Sequence, residues 1–218
     1  VEGGGRVNRS APETRRLVLG LSALAGFVDA AGYLTTGGFF VSFMSGNSTR
    51  FSVGLVTHGH DAALAALLIL AFVVGVVAGS LLGMRVAGPR RGAAILVLLT
   101  VLLLLAAFSA SAGWIWAAAL LAAMAMGSEN AVFARDGQVA LGLTYMTGTL
   151  VRCGERIAHA LNGGERWGWL PPLFLWLGLA GGAVAGALLY AAVGALTLWL
   201  AAGAAAAMTL AAIRIDLS

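Results

Sequence analysis

Two short stretches of this chain carry the same chemical groups in the same order. Residues 43–50 read F-M-S-G-N-S-T-R, and residues 145–152 read Y-M-T-G-T-L-V-R. An aromatic ring, a methionine, a hydroxyl, a glycine and an arginine recur 102 positions apart. Glycine permits a sharp break, and Ser, Thr and Asn side chains can satisfy the free N–H groups where a helix starts. A helix N-terminus carries partial positive charge and favours an anion or a polar oxygen. Arg50 and Arg152, about a turn further on, each add a full charge. The two motifs predict one solute site, built from Ser45, Gly46, Asn47, Ser48 and Arg50 with Asn130, Thr147, Gly148, Thr149 and Arg152. The structural alternative is that the glycines give close packing and the arginines snorkel or pair with Asp29 and Glu129.

Those two carboxylates are the other candidates. Asp29 falls deep in an apolar segment, and Asn130 is its counterpart in the second motif region, with Glu129 next to it. A carboxylate there either couples solute movement to protons or cations or neutralises an arginine. His58-Gly59-His60-Asp61 reads as an exposed external loop rather than a metal site. His159 with Glu155 and Arg156 reads as a polar helix face, and Trp167, Trp169 and Trp176 suit an interfacial aromatic belt. The lone Cys153 excludes an internal disulfide and a thiolate metal cluster. Nucleophile triads, phosphate-loop glycines and zinc spacings are absent from the sequence, so neither an enzyme nor a cofactor or metal is expected.

The elements that position these residues are apolar. Of the 218 residues, 60% are hydrophobic and only 10% charged, and the mean hydropathy is +0.94. Soluble domains carry about 25% charged residues. Apolar segments fall near 16–35, 62–84, 92–112, 114–134, 169–191 and 194–213. Two weaker segments, near 40–57 and 140–160, hold the motifs, each with an arginine near its middle. G-F-V-D-A at 26–30 matches G-S-E-N-A at 127–131, and G-V-V-A-G-S-L-L at 75–82 matches G-A-V-A-G-A-L-L at 182–189. The expected organisation is a disordered cytoplasmic tail (1–14), a first membrane repeat (15–112) and a second (113–214). The series Gly75/Gly79/Gly83 and Gly178/Gly182/Gly186 should let helices approach closely across the pseudo-symmetry axis.

Topology follows from the arginines, since the chain has no lysine. With Arg6, Arg9, Arg15 and Arg16 in the cytoplasm, a motif segment that enters and returns on one side keeps Arg85, Arg90, Arg91, Arg135, Arg166 and Arg214 inside. That satisfies the positive-inside rule at every loop; a full crossing breaks it. Three crossings per half then give two halves of opposite orientation. The expected fold is all-α: a polytopic membrane protein of about six transmembrane helices in a 3+3 inverted repeat. Each half carries a broken or re-entrant polar segment, and both termini are cytoplasmic.

With the motifs placed, the chain resembles the YoaK-type family of small bacterial membrane proteins (domain of unknown function 1275). The resemblance rests on G-x-x-D-A-x-G-Y-L at 26–34, F-x-x-x-F-M-S-G-N at 39–47, N-A at 130–131 and Y-M-T-G-T-L at 145–150, and it covers about 16–213. The family-like positions are Gly26, Asp29, Ala30, Gly32, Tyr33, Met44, Gly46, Asn47, Asn130, Thr147 and Gly148. Ser45 stands where the family usually has Thr, and Glu129 where it often has Gln. The resemblance implies about six helices in the bacterial inner membrane and supplies no substrate.

The expected function is a transporter or facilitator for a small polar or anionic solute. The alternatives are a channel of the same architecture and a non-transporting partner or assembly subunit. Expected partners are the lipid bilayer, the solute and a second copy of the chain in a homo-oligomer, but not nucleic acid, because the arginines form no single stripe.

Overall fold

The computed structural model describes residues 12–86, 88, 90–135, 138–139 and 146–214. Their order is α1 (Pro12–Thr36), α2 (Met44–Thr57), α3 (Gly59–Arg85), α4 (Arg90–Ser111), α5 (Ile115–Glu129), the two-residue strands β1 (Ala134–Arg135) and β2 (Gln138–Val139), α6 (Met146–Leu161), α7 (Leu170–Val193) and α8 (Thr197–Arg214). A short 3-10 turn, Gly194–Leu196, separates α7 from α8. The fold is all-α apart from the antiparallel β1–β2 ladder. Each apolar segment and each motif segment read from the sequence contains a helix among the described residues. Residues 1–11 of the expected tail lie outside the described residues, and 12–14 already belong to α1.

Four stretches are long and apolar enough to cross a bilayer: Thr14–Thr36, Gly59–Arg85, Arg90–Ser111 and Leu170–Arg214. Gly194, at φ +58°, breaks the last of them into α7 and α8. The expected span at 114–134 is only partly helical. α5 has 15 residues, about 22 Å of rise against a hydrocarbon core of about 30 Å. Leu70, Val73, Val77 and Leu81 on α3, and Val184 and Leu188 on α7, are exposed, as lipid-facing side chains are. The chain is a multi-pass membrane protein.

The core lies among α1, α4, α5 and α8, where Leu21, Val28, Leu96, Leu99, Leu103, Met126 and Ala202 are fully buried. α3 packs on α5, and α7 packs on α1. Both pairings depend on glycine. A methyl group at Gly26 of α1 would strike the backbone of Leu179 on α7, and one at Gly182 of α7 would strike Ala23. The second pair repeats this: Gly127 of α5 meets Phe72 of α3, and Gly75 of α3 meets Met124. The offsets of 101 and 107 that align the sequence halves carry one set of contacts onto the other. Close approach is thus given by Gly75 and Gly79 to α5 and by Gly178, Gly182 and Gly186 to α1, while Gly83 meets Arg91 and Ile95 of α4. The glycines serve the first helix of the other half rather than bringing α3 and α7 together as expected. Across the middle, the Thr100 and Thr209 hydroxyls join α4 to α8 at 2.9 Å.

Candidate functional site

The first motif is positioned by the way α1 ends. Gly37 (φ +72°) and Gly38 (φ +123°) adopt backbone that side chains disfavour, and Gly38 N–H donates back to Tyr33 O at 2.8 Å. That six-to-one bond is a Schellman stop. The chain then folds back along α1. The N–H groups of Val41 and Ser42 both donate to Asp29 Oδ1 at 2.8 Å. Asp29 lies seven residues before the end of α1, about 10 Å down the helix. α2 then runs back beside the loop. Asn47, fully buried, accepts Phe40 N–H at 3.0 Å and donates to Phe40 O at 2.6 Å. The Arg50 guanidinium lies 4.2 Å from the centre of the Phe39 ring and against Gly38. Phe40 packs on Tyr33 and Phe43, with ring centres 4.9 and 5.2 Å away.

This geometry corrects two expectations. The helix break is at residues 37–43, so Ser45, Gly46, Asn47, Ser48 and Arg50 lie inside α2. The α2 hydroxyls do not cap free N–H groups. Ser48 donates to Met44 O, Thr49 to Ser45 O and Ser52 to Ser48 O, each along its own helix. Nor do the carboxylates pair with arginine. Among the described residues the ion pair is His60–Asp61, 3.7 Å apart in the first turn of α3.

In the second half, Thr147, Gly148, Thr149 and Arg152 lie in α6, and Tyr145 lies outside the described residues. Arg152 is exposed and its Nε donates to Gly148 O at 3.4 Å. Thr149 and Asn130 are buried, and Asn130 Nδ2 donates to Met126 O at 3.0 Å. Glu129 is fully buried, and neither carboxyl oxygen has a hydrogen-bond partner among the described residues. α2 packs on α3 and α6 on α7, and among the described residues no extensive α2–α6 packing gathers the two motifs into one cluster. The residues that sequence reasoning missed are Gly37, Gly38, Phe39 and Phe40. Their signal was the run T-T-G-G-F-F at 35–40, a glycine pair after a helical segment.

A shallow groove of about 300 Å³ runs between α1 and α7, lined by Asp29, Tyr33, Leu34 and Phe40 with Ala183 and Ala187. A second open depression, about 610 Å³, lies at the end of α6 against Arg166, Trp167 and Trp169. Trp167 and Trp169 sit together there, 6.2 Å between rings. Trp176 lies within α7. Glu155, Arg156 and His159 are exposed on α6, and Arg156 donates to Gly168 O at 3.0 Å.

Comparison with known proteins places this arrangement. Residues 17–211 match the family described as Protein of unknown function (DUF1275). A UPF0700 transmembrane protein of Rhizobium meliloti (strain 1021) is 39% identical over 202 residues, spanning 91% of this chain and 86% of the relative. No solved structure matches.

Proposed function

Because the chain belongs to the DUF1275 family of membrane proteins, we propose that it is a non-enzymatic transporter or facilitator for a small polar or anionic solute. It is built as an inverted repeat in the bacterial inner membrane, with both termini cytoplasmic. The observation that carries this reading is the exchange of helices between the halves. α1 packs on α7 as α5 packs on α3, through glycines at matching positions. Two repeats of opposite orientation that share their helices form a scaffold for alternating access.

The fold-back at residues 37–43 supports a re-entrant first motif, since the loop returns to the level of Asp29 and α2 leaves the way it came. Each motif then serves one membrane face. Arg50 and Arg152 supply the positive charge for the solute, and the backbone clamp on Asn47 holds the first motif in shape. A partner-subunit role is the second reading, favoured by the full engagement of Asn47 and by the separation of α2 from α6.

The test is thermal unfolding of the detergent-solubilised protein with phosphate, sulfate, chloride and short carboxylates. A ligand that binds the folded state raises the midpoint by mass action. A concentration-dependent rise that is lost in Arg50→Ala and Arg152→Ala is the expected result. No rise with any of them, with both variants less stable than wild type, overturns transport and favours the partner-subunit reading.

A further inference from the structure

Glu129 ends α5 at a core position. The 101-residue offset between the halves superposes Asn130 on Asp29, and so Glu129 on Val28. Val28 and Glu129 are both 0% exposed. A carboxyl group therefore occupies the place that the other half gives to an apolar side chain. The neighbouring Ser128 Oγ donates to Ala125 O at 2.8 Å, and neither Glu129 oxygen receives a donor from the described residues. α5 is held close against α3 by backbone contact at Gly75–Met124 and Gly79–Ser128.

The elements packed on α5 are α1, α3 and α4. On α1, Asp29 is held by Val41 and Ser42, and Tyr33, Arg15 and Arg16 are exposed. On α3, His60 and Asp61 pair with each other at the far end, and Arg85 is exposed. On α4, Arg90 is exposed, whereas Arg91 Nε is buried without a partner, against Gly83. Gly83 is one turn along α3 from Gly79, which touches Ser128. Burial in apolar surroundings strongly disfavours an isolated carboxylate relative to its neutral acid, and an intramembrane ionisable group is by default a functional one.

We propose that Glu129 is a proton-binding site. It holds a proton in the conformation described here and releases it when α5 parts from α3 and α4. On release the O–H bond breaks, its electron pair stays on the carboxylate oxygen and the proton passes to entering water. Arg91 is the cation placed to meet the new charge. This deepens the transport reading by naming the proton as the coupling ion, and for coupling it rests on that reading.

The test is infrared spectroscopy of the full chain in phosphatidylethanolamine–phosphatidylglycerol vesicles at neutral pH. Wild type is compared with Glu129→Gln and Asp29→Asn. The expected result is a protonated-carboxyl stretch that is lost completely in Glu129→Gln and kept in Asp29→Asn. Glu129→Met, which needs no hydrogen-bond partner, serves as a second variant if the amide disturbs folding, and it should lose the same band. A wild-type spectrum without that band, or a band that both Glu129 variants retain, overturns the proposal. Loss of the band together with no response to any anion keeps the proton site and removes the transport reading. An anion response without the band does the reverse.

Discussion

Asp29 and Glu129 stand one register position apart in the two halves, and their surroundings are opposite. Asp29 is at the level where the first half folds back on itself, and two backbone N–H groups converge on one of its oxygens. Glu129 faces the core, and no donor among the described residues reaches it. The helices differ to match. α1 continues for seven residues beyond Asp29 to the Gly37–Gly38 stop, whereas α5 ends at Glu129 itself. One acidic group organises a loop, and the other is buried without a hydrogen-bond partner among the described residues. Charge in a membrane protein is thus assigned its role by the donors around it and not by its depth alone.

The comparison can be broken most forcefully at the shared scaffold. Gly75→Ala and Gly182→Ala should each cost about 3 kcal/mol or leave no folded protein, because the added methyl meets backbone that cannot yield. Size exclusion and thermal unfolding read this, and equal damage from the two supports equivalent halves. Next in size, Asp29→Ala strands two N–H donors and should lose about 2 kcal/mol. Glu129→Met should lose nothing or gain stability, because an apolar side chain replaces a buried polar group that has no hydrogen-bond partner among the described residues. A large loss in both variants would erase the distinction between the acids. Asn47→Ala should cost about 1–2 kcal/mol through Phe40, measured by denaturation in mixed micelles. Arg50→Leu should cost about 1 kcal/mol of cation–π contact with Phe39, while Arg152→Leu, exposed on α6, should leave stability unchanged. Smallest, Gly203→Ala on α8, where a methyl meets open space, should stabilise by about 0.5 kcal/mol.

Helices were legible because long apolar runs set their limits to within a few residues, and the repeat was legible because Gly26/Gly127 and Gly75/Gly182 keep their spacing. The helix break was misplaced at Ser45–Gly46 because the hydroxyls there resemble caps. The stop lies earlier, in Gly37–Gly38, where positive φ is needed. The roles of Asp29 and Asn47 were hidden for a different reason. Their partners are backbone atoms of a loop, which no side-chain pattern announces. Charge pairing, one of the alternatives for the two carboxylates, is not seen among the described residues, because opposite charges that are near in sequence need not face one another. Arg50 turns to Phe39 while Asp29 turns to Val41 and Ser42.

The exchange of helices between the halves also sets the order of biosynthesis. Gly26 finds its partner only when residues 179–183 have been made, some 150 residues later. At about 5–20 residues per second, α1 waits roughly 8–30 s beside the ribosome before its tightest contact exists. The first half on its own therefore has no finished fold. Its glycine face stays open to lipid, or to a membrane chaperone, until α7 emerges.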